Sequence, residues 1–372
     1  MNLTVGFDAK RAFNNTTGLG NYSRFVLNSL QHFAPSIECL AYTPRLKKGL
    51  YDDFPEKKIR QPLLSNSFYG AWWRSVGIKN DLLRDKIQIF HGLSNELPFG
   101  LKQSGVRSVV TIHDLIFLRY PSLYPAIDRF FYQQKFKRAC READVIVAVS
   151  QQTKNDIVAF YGIAPDRIEV VYQDCHDIFR ASKEVALKPT LAALLEGNPY
   201  LLSVGTIEER KNQLRLVEAF HKAALPEAIL VLVGRKTPYQ QQIEAYILRN
   251  GLRHRVKILN DVAFDDLPAL YRHAKAFVYV SLFEGFGIPI VEALHSGVPV
   301  VAATGSCLEE AGGEGAIYTN PTDTDDLADK LTKIWNDENL RLRLIAKGRQ
   351  HVRRFSAQNI AQQLSCIYQT LH

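Results

Sequence analysis

Short, β-branched apolar runs alternate along the chain with longer stretches whose apolar positions recur at helical spacing, the pattern of parallel sheets flanked by helices. In the first half, strand-like runs fall at 3–7, 37–42, 87–91, 108–112, 145–149 and 168–171, with helical periodicity at 22–33, 126–142 and 152–161. The second half restarts the pattern. Strands are expected at 200–204, 229–233, 256–259, 276–280, 299–302 and 316–318, separated by helices at 213–223, 240–250, 267–273, 289–296 and 325–335. Residues 173–199 interrupt the rhythm with Pro189, Pro199, mixed charge and no strand, which marks a linker. The expectation is an α/β chain of two doubly wound, Rossmann-like parallel-sheet domains: 1–180, a linker at 181–198, and 199–354. Residues 355–372 form a closing helix that caps its own domain or crosses back to the first.

A length of 372 residues suits two such domains. With 46% hydrophobic and 23% charged residues, the chain is neither disordered nor of low complexity. No apolar run approaches membrane-spanning length, and the opening residues lead into a strand instead of a signal peptide. Five scattered cysteines without a C-x-x-C pair argue against a disulfide framework or a zinc site. A cytoplasmic protein is expected. The net charge of +8 suggests an anionic partner, whether nucleic acid, membrane surface or phosphorylated small molecule.

Open parallel sheets bind ligands beyond the carboxyl ends of their strands, so the chemistry is sought there. The strongest segment runs from Glu284 through Gly285, Phe286, Gly287, Ile288 and Pro289 to Glu292, where an apolar strand turns into a helix. Pro289 suits a first helical turn, the glycines allow close backbone approach, and exposed amides would face an anion or a hydroxyl-rich ligand. Both glutamates either border one cleft or are solvated acids that a helix dipole favours. A second segment, Gly205-Thr206-Ile207-Glu208-Glu209-Arg210-Lys211-Asn212, sets an arginine fork beside a lysine point charge, a pair suited to a diphosphate unless the neighbouring glutamates neutralise it. A third, residues 14–21 with Gly18, Gly20 and Asn21, reads as a loop ahead of a helix starting at Tyr22 that could cradle a phosphate or an acceptor. A fourth places His113 and Asp114 at a strand end, with His113 a binding group or a structural one, and Asp114 an orienting group or a cap. His91, ending the preceding strand, is of the same kind. P-loop, nucleophile-elbow and H-E-x-x-H motifs are missing, and Asp323-Thr324-Asp325 reads as a helix N-cap.

Taken together and in order, these residues resemble the retaining glycosyltransferases of family 4. The resemblance rests on the Gly-Leu-Gly-Asn-Tyr-Ser stretch after 7–10, Thr-Ile-His-Asp-Leu at 111–115, Val-Gly-Thr-Ile-Glu-Glu-Arg-Lys-Asn at 204–212, and two glutamates at 284 and 292. It implies the GT-B fold, two Rossmann-like domains facing across a cleft. Arg210 and Lys211 would grip the donor diphosphate. Glu284 would contact the transferred sugar with the amides of Phe286, Gly287 and Ile288, and Glu292 would bind the ribose hydroxyls. Gly205 and Thr206 would line the donor site, with Arg235 and Val262 flanking the base. His113 would sit by the sugar, and Gly18, Gly20, Asn21 and Tyr22 would line the acceptor side. The sequence departs from many relatives at Leu308-Glu309-Glu310, which have proline before the second acid, and at Thr206–Glu209, where an arginine follows the glycine sooner.

The resemblance further implies metal-independent transfer of a hexose, without a cofactor, to a glycan or lipid-linked acceptor in cell-surface polysaccharide biosynthesis. GDP-mannose is the favoured donor ahead of UDP-sugars. Aromatic and basic residues mix at 68–74 and 129–141 in the first domain. They are either two faces of ordinary helices or a peripheral contact with the inner face of the cell membrane. Other readings are a GT-B nucleotide-sugar epimerase or hydrolase, a nicotinamide dehydrogenase, whose glycine fingerprint is missing, and a nucleic-acid-binding protein, for which the basic residues are too dispersed.

Overall fold

Every strand pairing among the described residues is parallel, and the strands fall into two sheets. The computed structural model describes residues 3–63, 67–180 and 186–372. Residues 1–2 of the expected start and 181–185 of the expected linker lie outside the described residues. The first sheet contains β1 (Leu3–Asp8), β2 (Ile37–Tyr42), β3 (Ile59–Arg60), β4 (Ile89–Gly92), β5 (Arg107–Ile112), β6 (Val145–Ala148) and β7 (Ile168–Val170), in the order β3-β2-β1-β4-β5-β6-β7. The second contains β8 (Tyr200–Val204), β9 (Ile229–Val233), β10 (Val256–Leu259), β11 (Ala276–Tyr279), β12 (Val300–Ala303) and β13 (Ala316–Thr319), in the order β10-β9-β8-β11-β12-β13. Both sheets therefore reverse direction beside their first strand, the crevice where doubly wound folds take ligands.

The central strands are apolar on both faces because helices cover both. All five residues of Ile229–Val233 are buried, as are all four of Val300–Ala303. The chain forms two compact units, Met1–Asp174 with Phe355–His372, and Cys175–Arg354. In the first, the helix Ala357–Leu371 packs against the helix Gly18–Phe33 and buries Ile360, Ala361, Leu364 and Tyr368. The linker region also contains a helix, Pro189–Leu195, which lies in the second unit.

Two local expectations need correction. The stretch read as a loop at 14–21 is mostly helical: one helix spans Lys10–Asn14 and the next begins at Gly18 instead of Tyr22. Gly18 and Gly20 are thus first-turn residues. Gly20 is required there because a Cβ on it would lie 1.9 Å from the Asn15 carbonyl oxygen. The edge strand β3 escaped detection because two half-buried residues carry no periodicity. Residues 67–84 are helical, with a π-helical turn at Trp73–Gly77 that contains Arg74.

Leu364 is fully buried where the last helix meets the first unit, while Gln363 beside it is exposed. Leu364→Ala should lower stability by roughly 2–5 kcal/mol, and Gln363→Ala should change it little. Urea denaturation of the full-length chain followed by tryptophan fluorescence checks both.

Candidate active site

In the second unit, β8 leads into Gly205, whose amide donates to the Val233 carbonyl at 2.8 Å. Gly234 follows β9, and its amide donates to the Leu259 carbonyl at 3.0 Å, while Asn260 Nδ2 donates to the Gly234 carbonyl at 2.7 Å. These bonds tie the ends of β8, β9 and β10 together. Thr206 offers its carbonyl to Gln213 Nε2, the exposed Arg235 offers its carbonyl to the Ile207 amide, and Val262 lies half-buried beyond β10. A 3-10 turn, Glu209–Lys211, then carries both cations. The left-handed Asn212 (φ 61°) closes it and leads into the helix Gln213–Ala223.

Glu284 is the centre of the charge arrangement. Its Oε1 lies 2.5 Å from Lys211 Nζ and 2.8 Å from an Arg210 terminal nitrogen. The hydroxyls of Ser281 and Tyr279 lie 2.6 and 3.0 Å from the same oxygen. Burial favours the neutral acid, but Lys211 and then Arg210 outweigh it and hold the Glu284 pKa down at about 2. Arg210 is itself braced by Glu208 at 2.6 Å and by the Phe283 carbonyl at 2.7 Å. Lys211 also donates to Tyr279 Oη at 2.6 Å. An ammonium retains a further N–H beyond these bonds, so Lys211 can still meet an anion.

Phe283 and Phe286 are buried and anchor the turn after β11. Gly287 begins the helix Ile288–His295 with φ 119°, a conformation suited to glycine, and a Cβ there would press on Leu308 at 2.9 Å. The first amides of this helix have no intrahelical acceptor. Cys307, fully buried, places its thiol 3.1 Å from the Glu284 carbonyl. Glu292, on the second turn, accepts a hydrogen bond from Tyr271 Oη at 2.8 Å. No cation offsets its burial, and the Tyr271 bond only partly counters it, so its pKa rises to about 7.

The first unit holds the remaining predicted residues. His113 follows β5 and is buried. Its Nε2 lies 2.9 Å from the Leu93 carbonyl, its amide donates to Asn95 Oδ1, and its ring meets Tyr22 edge to face at 4.6 Å. A carbonyl can only accept, so Nε2 carries the proton and Nδ1 the lone pair. Burial lowers the His113 pKa to about 4 despite the Leu93 bond, and Arg11 lowers it further. The ring is therefore neutral at physiological pH. Asp114 caps the next turn through the Ile116 amide at 3.1 Å. Asn21 Oδ1 accepts from Arg24, which also ties down the carbonyls of Ala12 and Asn15.

Behind His113 runs a buried hydrogen-bonded chain. Tyr22 Oη lies 3.0 Å from Thr111 Oγ1, Thr111 Oγ1 lies 2.8 Å from His91 Nε2, and His91 Nδ1 lies 2.6 Å from Tyr368 Oη on the last helix. His91 is thus an internal strut with a pKa depressed by burial to about 3. Sequence reasoning missed Tyr271, Tyr279, Ser281, Thr111 and Tyr368. Tyr279 and Ser281 flank the end of an apolar strand and so carried a signal, whereas Tyr271 and Tyr368 reach their partners from helices distant in sequence. Elsewhere, a concavity of about 460 Å³ lined by Glu244, Leu248, Arg253 and Ile258 shares no residue with these strand ends.

Comparison with known proteins agrees with this geometry. Residues 23–173 match the model of Glycosyltransferase Family 4, and residues 192–351 that of Glycosyl transferases group 1. The O-antigen chain mannosyltransferase B of Escherichia coli is 30% identical over 325 residues, covering 84% of this chain and 81% of that protein. Among solved structures, sucrose-phosphate synthase from Thermosynechococcus elongatus superposes with a TM-score of 0.78 at 20% identity over 99% of both chains. Anabaena HepE, solved with UDP-glucose, superposes with a TM-score of 0.73 at 18% identity over 99% of both chains. The two-domain α/β fold is GT-B. The chain belongs to the group 1 glycosyltransferases and is a hexosyltransferase, which sets aside the dehydrogenase and nucleic-acid-binding readings.

The Glu292 shift has a definite sign. Its pKa is higher in the folded chain, about 7, than the ordinary 4.5, so the folded state holds the extra proton between these values. The associated stability is complete below pH 4.5 and is lost as pH rises through 7. Glu292→Gln should therefore match the native chain at pH 5 and exceed it in stability at pH 8, as read from paired urea melts.

Proposed function

We propose that the chain is a retaining glycosyltransferase that moves mannose from GDP-mannose to a hydroxyl of a glycan or lipid-linked acceptor in cell-surface polysaccharide biosynthesis. The observation that carries this reading is the Glu284 carboxylate held between Lys211 and Arg210 at the end of β11, with Glu292 further along the same turn and helix. The second unit takes the donor and the first takes the acceptor. The curated relative named as a mannosyltransferase supports mannose, and UDP-sugars stand second because HepE was solved with UDP-glucose.

Cleaving a sugar–diphosphate bond builds negative charge on the leaving group and positive charge at the anomeric carbon. Lys211 and Arg210 stabilise the first, preorganised by Glu208, Tyr279 and the Phe283 carbonyl so that little reorientation accompanies the reaction. Glu284, fixed on one oxygen by four donors, offers its other oxygen to the sugar hydroxyls. The Gly287–Ile288 amides receive a further hydroxyl or phosphate oxygen. Glu292 takes the ribose, where its raised proton affinity lets it both donate and accept. The leaving phosphate accepts the acceptor's proton on the same face, so transfer proceeds with retention and needs neither a protein base nor a metal.

Binding of GDP-mannose should raise the melting temperature more than UDP-glucose does, because only a ligand of the folded state stabilises by mass action. Lys211→Ala should reduce transfer by about a hundred- to a thousand-fold. Near-normal transfer in this variant removes the assignment.

Among the described residues no helix is long and apolar enough to cross a membrane. A peripheral contact is instead proposed through the helix Ala126–Glu142. Its outward arc exposes Ile127 (67%), Phe130 (58%) and Phe131 (54%) near one end, and Lys135 and Arg141 toward the other, with Lys137 half-buried between them. Aromatic insertion with lysine contacts suits an anionic interface. The protein should cosediment with vesicles containing phosphatidylglycerol at physiological salt, and Phe130→Asp with Phe131→Asp should abolish this.

A further inference from the structure

At the carboxyl end of β1, the cations outnumber the acids available to pair with them. Asp8 is buried and taken by Arg74, whose Nε lies 3.0 and 2.9 Å from the two carboxylate oxygens and whose terminal nitrogen lies 2.5 Å away. Arg74 also reaches Glu96 at 2.9 Å, and Lys135 stands 3.8 Å from Glu96. Both acids are thereby engaged.

Lys10 and Arg11 follow directly on the short helix Lys10–Asn14. Among the described residues, neither side chain has a hydrogen-bond or ion-pair partner, although both are half-buried and Arg11 Nε is shielded from solvent. Burying an arginine N–H without an acceptor is costly. The helix that carries the pair is held firmly. Arg24 binds the carbonyls of Ala12 and Asn15, and Asn14 Nδ2 donates to the carbonyls of Lys10 and Arg45 at 3.0 and 2.9 Å. Burial, then Arg74 and Arg11, weaken the hold of Lys10 on its proton and outweigh the opposing pull of Asp8 and Glu96. The Arg11 charge also lowers the His113 pKa.

We propose that Lys10 and Arg11 form an anion site in the N-terminal unit that takes a phosphate-class group on the acceptor. An arginine fork beside a lysine point charge matches a phosphate or diphosphate, and the carboxyl end of β1, beside which the strand order reverses, is where such a group enters an open α/β fold. The glycosyltransferase reading enters only in naming the bearer of the phosphate as the acceptor. The chemistry has two sources, a soluble sugar phosphate or a lipid-linked diphosphate.

Equilibrium dialysis of radiolabelled inorganic pyrophosphate with the full-length chain tests the site without requiring transfer. Arg11→Gln and Lys10→Gln should each weaken one class of pyrophosphate sites at least 10-fold, and Lys211→Met should retain that class. Lys10→Gln, at a half-buried position, keeps the test decisive if Arg11→Gln does not fold. Equal affinity and stoichiometry in the native chain and both N-terminal variants overturns the proposal, as does loss of all binding with Lys211→Met. Competition separates the sources. Displacement from this site by mannose 6-phosphate assigns a soluble phosphorylated acceptor, displacement by geranyl diphosphate a lipid-linked one, and displacement by both the shared phosphate chemistry. Displacement by neither overturns the site. If the site is present but no nucleotide sugar binds, the anion site stands and the transferase reading fails.

Discussion

The ion triad of Glu284, Lys211 and Arg210 is the constraint around which the second unit is arranged. A carboxylate and two cations in a largely dehydrated crevice are stable only when each is matched in charge and in hydrogen bonds. Satisfying that condition uses the tyrosine that ends β11, the serine two residues on, the Phe283 carbonyl, Glu208 and the left-handed Asn212. Two neighbouring strand ends, β8 and β11, must therefore keep their register for the charges to balance. Because the charges are in place before any ligand arrives, the proposed donor site would stabilise a developing anion with little rearrangement.

The turn after β11 and the helix that follows it hold two carboxylates of opposite character. Glu284 faces cations and stays ionised, whereas Glu292 meets a tyrosine and burial raises its pKa to about 7. Their eight-residue separation suggested two addresses on an extended ligand. Under the proposed function their different environments would suit a sugar and a ribose, since one acts as a fixed acceptor and the other can exchange donor and acceptor roles.

In the first unit the support is neutral instead of ionic. A chain of hydroxyls and an imidazole, from Tyr368 through His91 and Thr111 to Tyr22, backs the face on which His113 rests. Every member is buried, so the chain is stable only with all its bonds made. The last helix is therefore part of the scaffold of this site, and its packing on Gly18–Phe33 closes the unit. Burial keeps His113 uncharged, and the Leu93 carbonyl fixes its tautomer, so that it presents a lone pair at Nδ1.

Much of this was legible from residue order. Strand positions followed from β-branched runs buried on both faces, and the placement of Arg210-Lys211 and of Glu284 and Glu292 at strand-to-helix turns followed from strand ends meeting helix starts. The Asp323 N-cap was read correctly and accepts from the amides of Asp325 and Asp326. Short or ambiguous pieces were not legible. Two-residue β3 has no period to detect, and the glycines at 18 and 20 read as a loop because their helical role depends on the approach of the Asn15 carbonyl. By itself the sequence determined the fold class and which residues could carry charge to the strand ends, since hydrophobic period and local motif are properties of neighbouring residues. Only the tertiary structure decided which charges neutralise one another, which remain open, and which tyrosines hold them. Those outcomes depend on burial and on contacts between residues as far apart as Lys211 and Glu284, or His91 and Tyr368, which no local pattern encodes.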